Sequence, residues 1–256
     1  MNNIRTKALH QWLVSHFSAE NISLIPLTGD AGFRRYFRIQ YQGQHYIAVD
    51  APVNLSNNLA FVNVQKALRQ VGIKVPEIIA VDLKQGFLCL SDFGDCLLAE
   101  KLCQENMHQY YRYAIAELNK VLACKKTIVA SLPLYDEGFI YTELAIFNDW
   151  LLEKHLGVYL TVDEKTRLNS CFELLVAAIT EQPKVFMHRD YHSRNIMLLN
   201  DKTLGIIDFQ DAVQGPIIYD LVSLLRDCYV RWPDELLLPL IEDYRQQVLN
   251  YLPNEK

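Results

Sequence analysis

The sequence predicts an α+β chain of two lobes, a β-rich N-terminal part over residues 1–91 and a mostly helical C-terminal part over residues 92–256. Three observations predict it. Up to residue 91, apolar and aromatic residues come in short runs broken by glycine-bearing turns, the pattern of hairpins. Beyond it, apolar residues recur at helical spacing over longer stretches. Between the two, Ser91-Asp92-Phe93-Gly94-Asp95 interrupts both patterns.

The elements follow in order. Ile4, Ala8, Trp12 and Phe17 share one face of a first helix. Ile22 to Leu27 reads as a strand ending at Thr28-Gly29-Asp30. Phe33 to Tyr41 and His45 to Val49 read as two strands joined by a turn at Gln42-Gly43. A helix fits Leu59 to Val71, with Gly72 as its C-terminal stop. Val75 to Val81 and Gly86 to Leu90 read as two more strands. Helices then fit Met107 to Cys124, Ile140 to His155, Asp163 to Thr180, Asp220 to Val230 and Asp234 to Leu252. Thr161 and Glu164 have capping-box spacing. Ile196 to Leu199 and Leu204 to Ile207 flank Asn200-Asp201-Lys202 as a small embedded hairpin.

Composition narrows the function classes. The chain has 256 residues, 50% of them hydrophobic, and a formal net charge of −5. That balance gives no reason to expect nucleic acid or an anionic membrane as partner. No apolar run has membrane-span length, and the N-terminus lacks a secretory pattern. The 6 cysteines form no C-x-x-C pair, which fits reduced thiols in a cytoplasmic protein.

The chemistry concentrates between Phe186 and Asp220. His188-Arg189-Asp190-Tyr191-His192-Ser193-Arg194-Asn195 fits the H-R-D-x-x-x-x-N pattern of a kinase catalytic loop, and Ile206-Ile207-Asp208-Phe209-Gln210 follows the embedded hairpin. ATP phosphates need Mg²⁺, a hard cation that prefers oxygen ligands. Asp208 and Asn195 supply a carboxylate and an amide oxygen for it. Asp190 stays free of metal to accept the proton of the attacking hydroxyl. Any one of these residues alone serves as well in a turn. Their joint spacing across loop, strand pair and strand exit does not reduce to turn propensity.

The segment from Phe186 to Asp227 resembles the aminoglycoside-phosphotransferase and choline-kinase superfamily, which has a protein-kinase-like fold and a typical H-x-D-x-H-x-x-N loop, here His188, Asp190, His192 and Asn195. His192 favours the small-molecule branch over protein kinases. Tyr219-Asp220-Leu221 matches a further family segment, and the resemblance implies that His188, His192 and Asp220 support the catalytic loop. Leu88 to Asp95 resembles the hinge, with backbone near Leu90 and Ser91 meeting adenine. The resemblance implies ATP and Mg²⁺ as cofactors and a small-molecule substrate.

The phosphate side departs from the usual pattern. The loop from Thr28 to Arg38 carries Gly29 and Gly32 but is not G-x-G-x-x-G, and the strand His45 to Asp50 has no lysine. Val49 or Asp50 stands in its place, and the next helix has no glutamate to partner a lysine. Either the chain is an inactive nucleotide-binding pseudokinase, or another cation binds phosphate. Arginine suits that task through its planar fork. Arg35 shares a strand face with Phe33, Phe37 and Ile39, which is expected to face adenine. Arg35 is therefore the first candidate and Arg34 the second.

The run G-D-A-G-F-R-R-Y-F-R, Val49-Asp50-Ala51-Pro52, and Glu143 with Phe147 and Trp150 resemble the bacterial anomeric sugar kinases that act on N-acetylmuramate and N-acetylglucosamine in cell-wall recycling. Those also lack the strand lysine. The resemblance implies a sugar or amino-sugar acceptor, with Glu143, Trp150 and Arg194 as candidate substrate contacts and Tyr141 as a second stacking ring. An anomeric hydroxyl is more acidic than an ordinary alcohol, so Asp190 need not be a strong base. Phe147 and Trp150 fit equally well as core residues at helical spacing. An aminoglycoside, choline-like or other amino-alcohol acceptor is the alternative.

Overall fold

The structure, a computed structural model, describes residues 2–27, 33–124, 126–129 and 131–251. A first helix α1 (Asn2–Phe17) precedes a sheet with strand order β1 (Ile25–Pro26), β2 (Arg35–Tyr41), β3 (Gln44–Asp50), β5 (Phe87–Ser91), β4 (Ile78–Asp82), antiparallel throughout. Helix α2 (Asn58–Gln70) lies between β3 and β4 in sequence. Gln42 and Gly43 join β2 to β3 with φ of 49° and 80°, the twist that a two-residue hairpin needs.

Sequence patterning explains the helix ends. The Asn57 side chain accepts from the Ala60 amide at 3.0 Å and starts α2. Gly72, at φ 81°, lets the Ile73 amide turn back to the Leu68 carbonyl and ends it.

The C-terminal part contains α3 (Leu98–Lys101), α4 (Met107–Val121), α5 (Lys126–Val129), α6 (Glu137–Ile146), α7 (Val162–Thr180), α8 (Tyr219–Leu225) and α9 (Asp234–Val248). Strands β7 (Ile196–Asn200) and β8 (Thr203–Ile206) form the embedded hairpin, and β6 (Lys184–Met187) pairs with β9 (Val213–Pro216). Thr161 and Glu164 cap α7 reciprocally.

One buried apolar cluster runs from Val49, Leu88 and Leu90 through Phe61 and Leu68 to Met107, Tyr111, Ile115 and Leu224, so sheet, α2, α4 and α8 share a core. A second cluster joins Leu9 and Leu13 of α1 to Phe37, Ile39, Ala48 and Phe87 on the opposite sheet face. Asp50 is fully buried on that face. Its carboxylate accepts from Arg5 of α1 and Arg35 of β2, and Arg35 also bonds Thr6 at 3.1 Å.

Several expected boundaries shift. The first strand shortens from Ile22–Leu27 to two residues; Pro26 lacks an amide, and Ile22 packs into the α1 cluster instead. The strand expected from Val75 starts at Ile78, beyond Pro76. The helix expected over Ile140–His155 is α-helical only to Ile146 and continues as π-helix over Phe147–His155. The helix expected to reach Val230 ends at Leu225, where Asp227 instead accepts from the Tyr229 and Val230 amides. Among the described residues, no helix is long and apolar enough to cross a membrane.

Candidate active site

A cleft of about 410 Å³ lies between the sheet and the embedded hairpin. Ile47, Leu90, Pro76 and Met197 give it apolar walls, and Asn195, Asp208 and Arg194 line the same space. Ile47 and Val49 are two residues apart on β3 and so share its cleft face. Val49 is therefore the residue in the position expected of a lysine, and Asp50 points to α1.

The catalytic loop is held from every side. Asp220, 6% exposed, accepts from the backbone amides of His188 at 2.7 Å and Arg189 at 3.0 Å. Burial raises its pKa to about 7, against the lowering effect of those two bonds. Arg189 is fixed at φ 79°, a left-handed conformation unusual for a non-glycine residue. The buried His188 ring contacts the Ile207 carbonyl through Nε2 at 3.0 Å; burial lowers its pKa to about 4, so the neutral ring donates. Tyr191 is anchored by its hydroxyl to the Ala114 carbonyl of α4 at 2.8 Å. Ser193 donates to Asp227 through its hydroxyl at 2.6 Å.

The three expected reactive residues meet in this arrangement. Asn195 donates through Nδ2 to the Asp190 carbonyl at 2.9 Å and approaches His192 Nε2 at 3.4 Å. Its Oδ1 is thereby left as the acceptor. Asp208, at φ 63°, is exposed in the cleft and accepts from Gln210. The Asp190 carboxyl is pushed up by partial desolvation and then by the Asp208 carboxylate.

This donor set fits a divalent cation held by Asp208 and Asn195 Oδ1, because a cation there relieves the repulsion between Asp208 and Asp190. Among the described residues no group of three or more His, Cys, Asp or Glu forms a metal cage. The remaining oxygens would come from nucleotide phosphate and water, the usual habit of Mg²⁺.

Other expected site residues fall differently. Gly29 and Gly32 lie outside the described residues. Arg35 does not face the cleft: the apolar face of β2, with Phe37 and Ile39, packs on α1, and Arg35 is tied to Asp50. The cleft face carries Tyr36 and Arg38 instead. The Arg34 guanidinium stands 5.5 Å from the Phe61 ring centroid. Burial raises the Tyr36 pKa, and the charge of Arg34 opposes that shift while Asp208 adds to it, so the three are neighbours. Arg38 bonds Asp92 at 2.6 Å and Asp95 at 2.7 Å, linking β2 to the segment after β5. The Ser91 amide, expected near adenine, donates to the Glu77 carbonyl at 2.9 Å.

Glu143 is engaged within the protein. It accepts from Arg189 at 2.8 Å, from the Tyr135 hydroxyl at 2.5 Å and from the Tyr219 hydroxyl at 3.3 Å. Burial and Glu143 both push the Tyr135 pKa up. Trp150 is 59% exposed on the π-helical turn with Lys154 over its ring at 3.7 Å, and it is absent from the cleft wall. Tyr141 lines a separate hollow beside α7. Arg194 lines the cleft, stacked 4.6 Å from the Tyr229 ring centroid.

Comparison with known proteins places the chain in a family. The sequence model of the phosphotransferase enzyme family matches residues 23–253. The N-acetylmuramate/N-acetylglucosamine kinase of Pseudomonas aeruginosa PAO1 is 42% identical over 212 residues, covering 82% of this chain and 62% of that protein. A protein of the same name from Neisseria meningitidis MC58 is 34% identical over 241 residues, covering 92% and 71%. The chain thus spans less than two thirds of the length of the Pseudomonas aeruginosa relative.

Among solved structures, the ADP-bound aminoglycoside phosphotransferase APH(2'')-Ib superposes with a TM-score of 0.64 at 13% identity, covering 95% of this chain and 83% of that one. The GDP complex of aminoglycoside 2'-phosphotransferase-IIIa gives 0.65 at 19%, covering 98% and 83%. Choline kinase LicA of Streptococcus pneumoniae gives 0.58 at 13%, covering 95% and 80%. At these identities the likeness carries the fold, a bilobal kinase-like architecture.

Proposed function

The chain belongs to the phosphotransferase enzyme family, and from that premise we propose that it transfers the γ-phosphoryl group of ATP to a sugar hydroxyl, the anomeric hydroxyl of N-acetylmuramate or N-acetylglucosamine. The observation that carries this reading is that Asn195 and Asp208 line one cleft with apolar walls while Asp190 lies beside them, its backbone carbonyl bonded by Asn195 and its carboxyl raised by the Asp208 charge. The relatives at 34% and 42% identity bear the name of kinases for these two sugars.

In this reading adenine enters between Ile47, Leu90 and Met197. It meets backbone just beyond Ser91, at Asp92 and Phe93, because the Ser91 amide is engaged by Glu77. Asp208 and Asn195 Oδ1 would hold Mg²⁺, which would supply charge neutralisation for the phosphates. Arg34 is the phosphate-side cation and Arg194 approaches the transferred group from the catalytic loop. Asp190 accepts the proton of the sugar hydroxyl as its oxygen bonds to phosphorus and the bond to ADP breaks. We set the lobe division between Ser91 and Asp92, and we take the enzyme to work in the cytoplasm, in recycling of cell-wall sugars.

A cationic amino-alcohol acceptor would call for uncommitted carboxylates around Asp190. Glu143, the nearest acid on α6, is engaged by Arg189 and two tyrosines, which favours a neutral or anionic sugar. The deciding experiment is a phosphate-transfer screen with N-acetylmuramate, N-acetylglucosamine, plain hexoses, choline and kanamycin. Product phosphorylated at C1 of an N-acetyl amino sugar is expected. Product only with choline or kanamycin would reject the sugar acceptor, and ATP binding with no product from any acceptor would favour a pseudokinase.

A further inference from the structure

Helix α2 offers no glutamate to the cleft, and β3 offers no lysine. In their place stands a chain of ring contacts. The Phe61 ring lies 4.9 Å, centroid to centroid, from Phe209 at an interplanar angle of 30°. The Arg34 guanidinium carbon lies 5.5 Å from the same Phe61 centroid, within cation–π range. Phe61 is 8% exposed and Phe209 1% exposed, so the ring pair is shielded from water, while Arg34 is half-buried at its edge. Phe209 directly follows Asp208, whose φ of 63° leaves it in a sparsely populated conformation that its surroundings must hold.

We infer that Phe61 is the positioning residue that couples the phosphate-side cation to the metal-side carboxylate, through its ring contacts with Arg34 and Phe209. The inference rests on the reading of this cleft as a nucleotide site. A salt bridge would do the same work with charge; here the ring face and a hydrogen bond to the Tyr36 hydroxyl hold the guanidinium, without a carboxylate to neutralise its charge toward phosphate. The ring contact to Phe209 restrains the backbone that carries Asp208. Displacing the ring therefore loosens both ends at once, and the two functions should weaken together.

The test compares the wild type with Phe61→Leu, Phe61→Met, Phe61→Tyr, Arg34→Met and the double variant Arg34→Met/Phe61→Leu. Affinity for ATP is measured by calorimetry with and without Mg²⁺, and a thermal melt reports folding. Leu and Met keep apolar contact and lose the ring, so if one fails to fold the other carries the comparison. Losing a partly shielded cation–π contact is expected to weaken ATP binding about fivefold. The gain in affinity on adding Mg²⁺ shrinks as well. Tyr, which keeps the ring, restores most of both, and Arg34→Met adds little to Phe61→Leu.

A purely structural Phe61 would lower the melting temperature and leave the affinity of the folded protein unchanged, which overturns the inference. So would additive effects in the double variant. Wild type that binds no ATP under either condition overturns the nucleotide reading and this inference with it; normal wild-type binding with unaltered ring-less variants overturns the inference alone.

Discussion

His188 donates from Nε2 to the carbonyl oxygen of Ile207 at 3.0 Å, joining the catalytic loop to the residue that precedes Asp208. While the ring is neutral the contact requires its proton on Nε2, and burial keeps the ring neutral by lowering the pKa from 6.5 to about 4, against the raising effect of the bond to Ile207 itself. The unfolded chain binds a proton that the folded chain refuses between those values. Stability from His188 is thus fully present above pH 6.5 and is lost as pH falls toward 4, about 3 kcal/mol in all. Asp220 acts in the opposite sense as pH rises toward 7, so the wild type alone does not isolate the effect. The stability gap between wild type and His188→Gln, from urea unfolding at several pH values, should narrow on acidification. A gap that stays constant from pH 7.5 to 4.5 would refute this.

Asp190→Asn removes the proton acceptor without disturbing the backbone bonds that Asn195 and His192 make to residue 190. Phosphoryl transfer should fall on the order of 10²–10⁴-fold. ATP affinity should hold within about twofold, because on this reading Asp190 contacts neither nucleotide nor cation. Equal losses in affinity and turnover would assign Asp190 to binding.

Asp220 uses one carboxylate oxygen for each of two backbone amides. Asn has only one such oxygen and would set its NH₂ against the other amide. Asp220→Asn should therefore cost about 1–3 kcal/mol and depress turnover more than ATP affinity. Chemical denaturation beside steady-state kinetics checks this; a variant as stable and active as wild type would contradict it.

The neighbouring arginines separate cleanly. Arg35→Ala strips one of the two counter-charges from the buried Asp50 carboxylate, leaving Arg5, and should destabilise by roughly 1.5–3 kcal/mol, with ATP affinity of the folded protein intact. Arg34→Ala should do the reverse, weakening ATP binding with little change in melting temperature. Reversal of those two patterns would return the phosphate role to Arg35.

Glu143→Gln probes whether this acid touches acceptor. Losing the charge partner of Arg189 should lower kcat by about tenfold or more, in line with loss of a charge-assisted bond of about 1.5–3 kcal/mol. KM for the sugar should stay nearly level. A KM rise with unchanged kcat would mean that Glu143 binds the sugar directly.

Much of the fold is legible in the residues because period, caps and turns are local properties. Gln42-Gly43, Gly72 and the Thr161–Glu164 capping box each declare an element end by their own chemistry. The pairing of β6 with β9 was not legible, since Lys184–Met187 and Val213–Pro216 are short, widely separated and meet only through tertiary packing. The catalytic loop could be read from spacing, as Asp190, Asn195 and Asp208 sit at fixed intervals. The phosphate side could not. Alternation divides β2 into two faces, but which face meets the cleft depends on where α1 docks, and α1 covers Phe37 and Ile39. The partners of Glu143 are hidden in the sequence for a related reason: Tyr135, Arg189 and Tyr219 come from separate parts of the chain.

The capture of Asp50 by Arg5 also bears on how this protein can be handled at the bench. An expression boundary drawn at the first strand, after α1, would leave the acid with Arg35 alone and uncover the apolar patch of Phe37, Ile39 and Phe87 that Leu9 and Leu13 shield. Such a shortened chain would be prone to aggregate, although every residue around the cleft would still be encoded. Bulky fusions are better separated from Arg5 by a flexible spacer, so that the helix can still reach its acid.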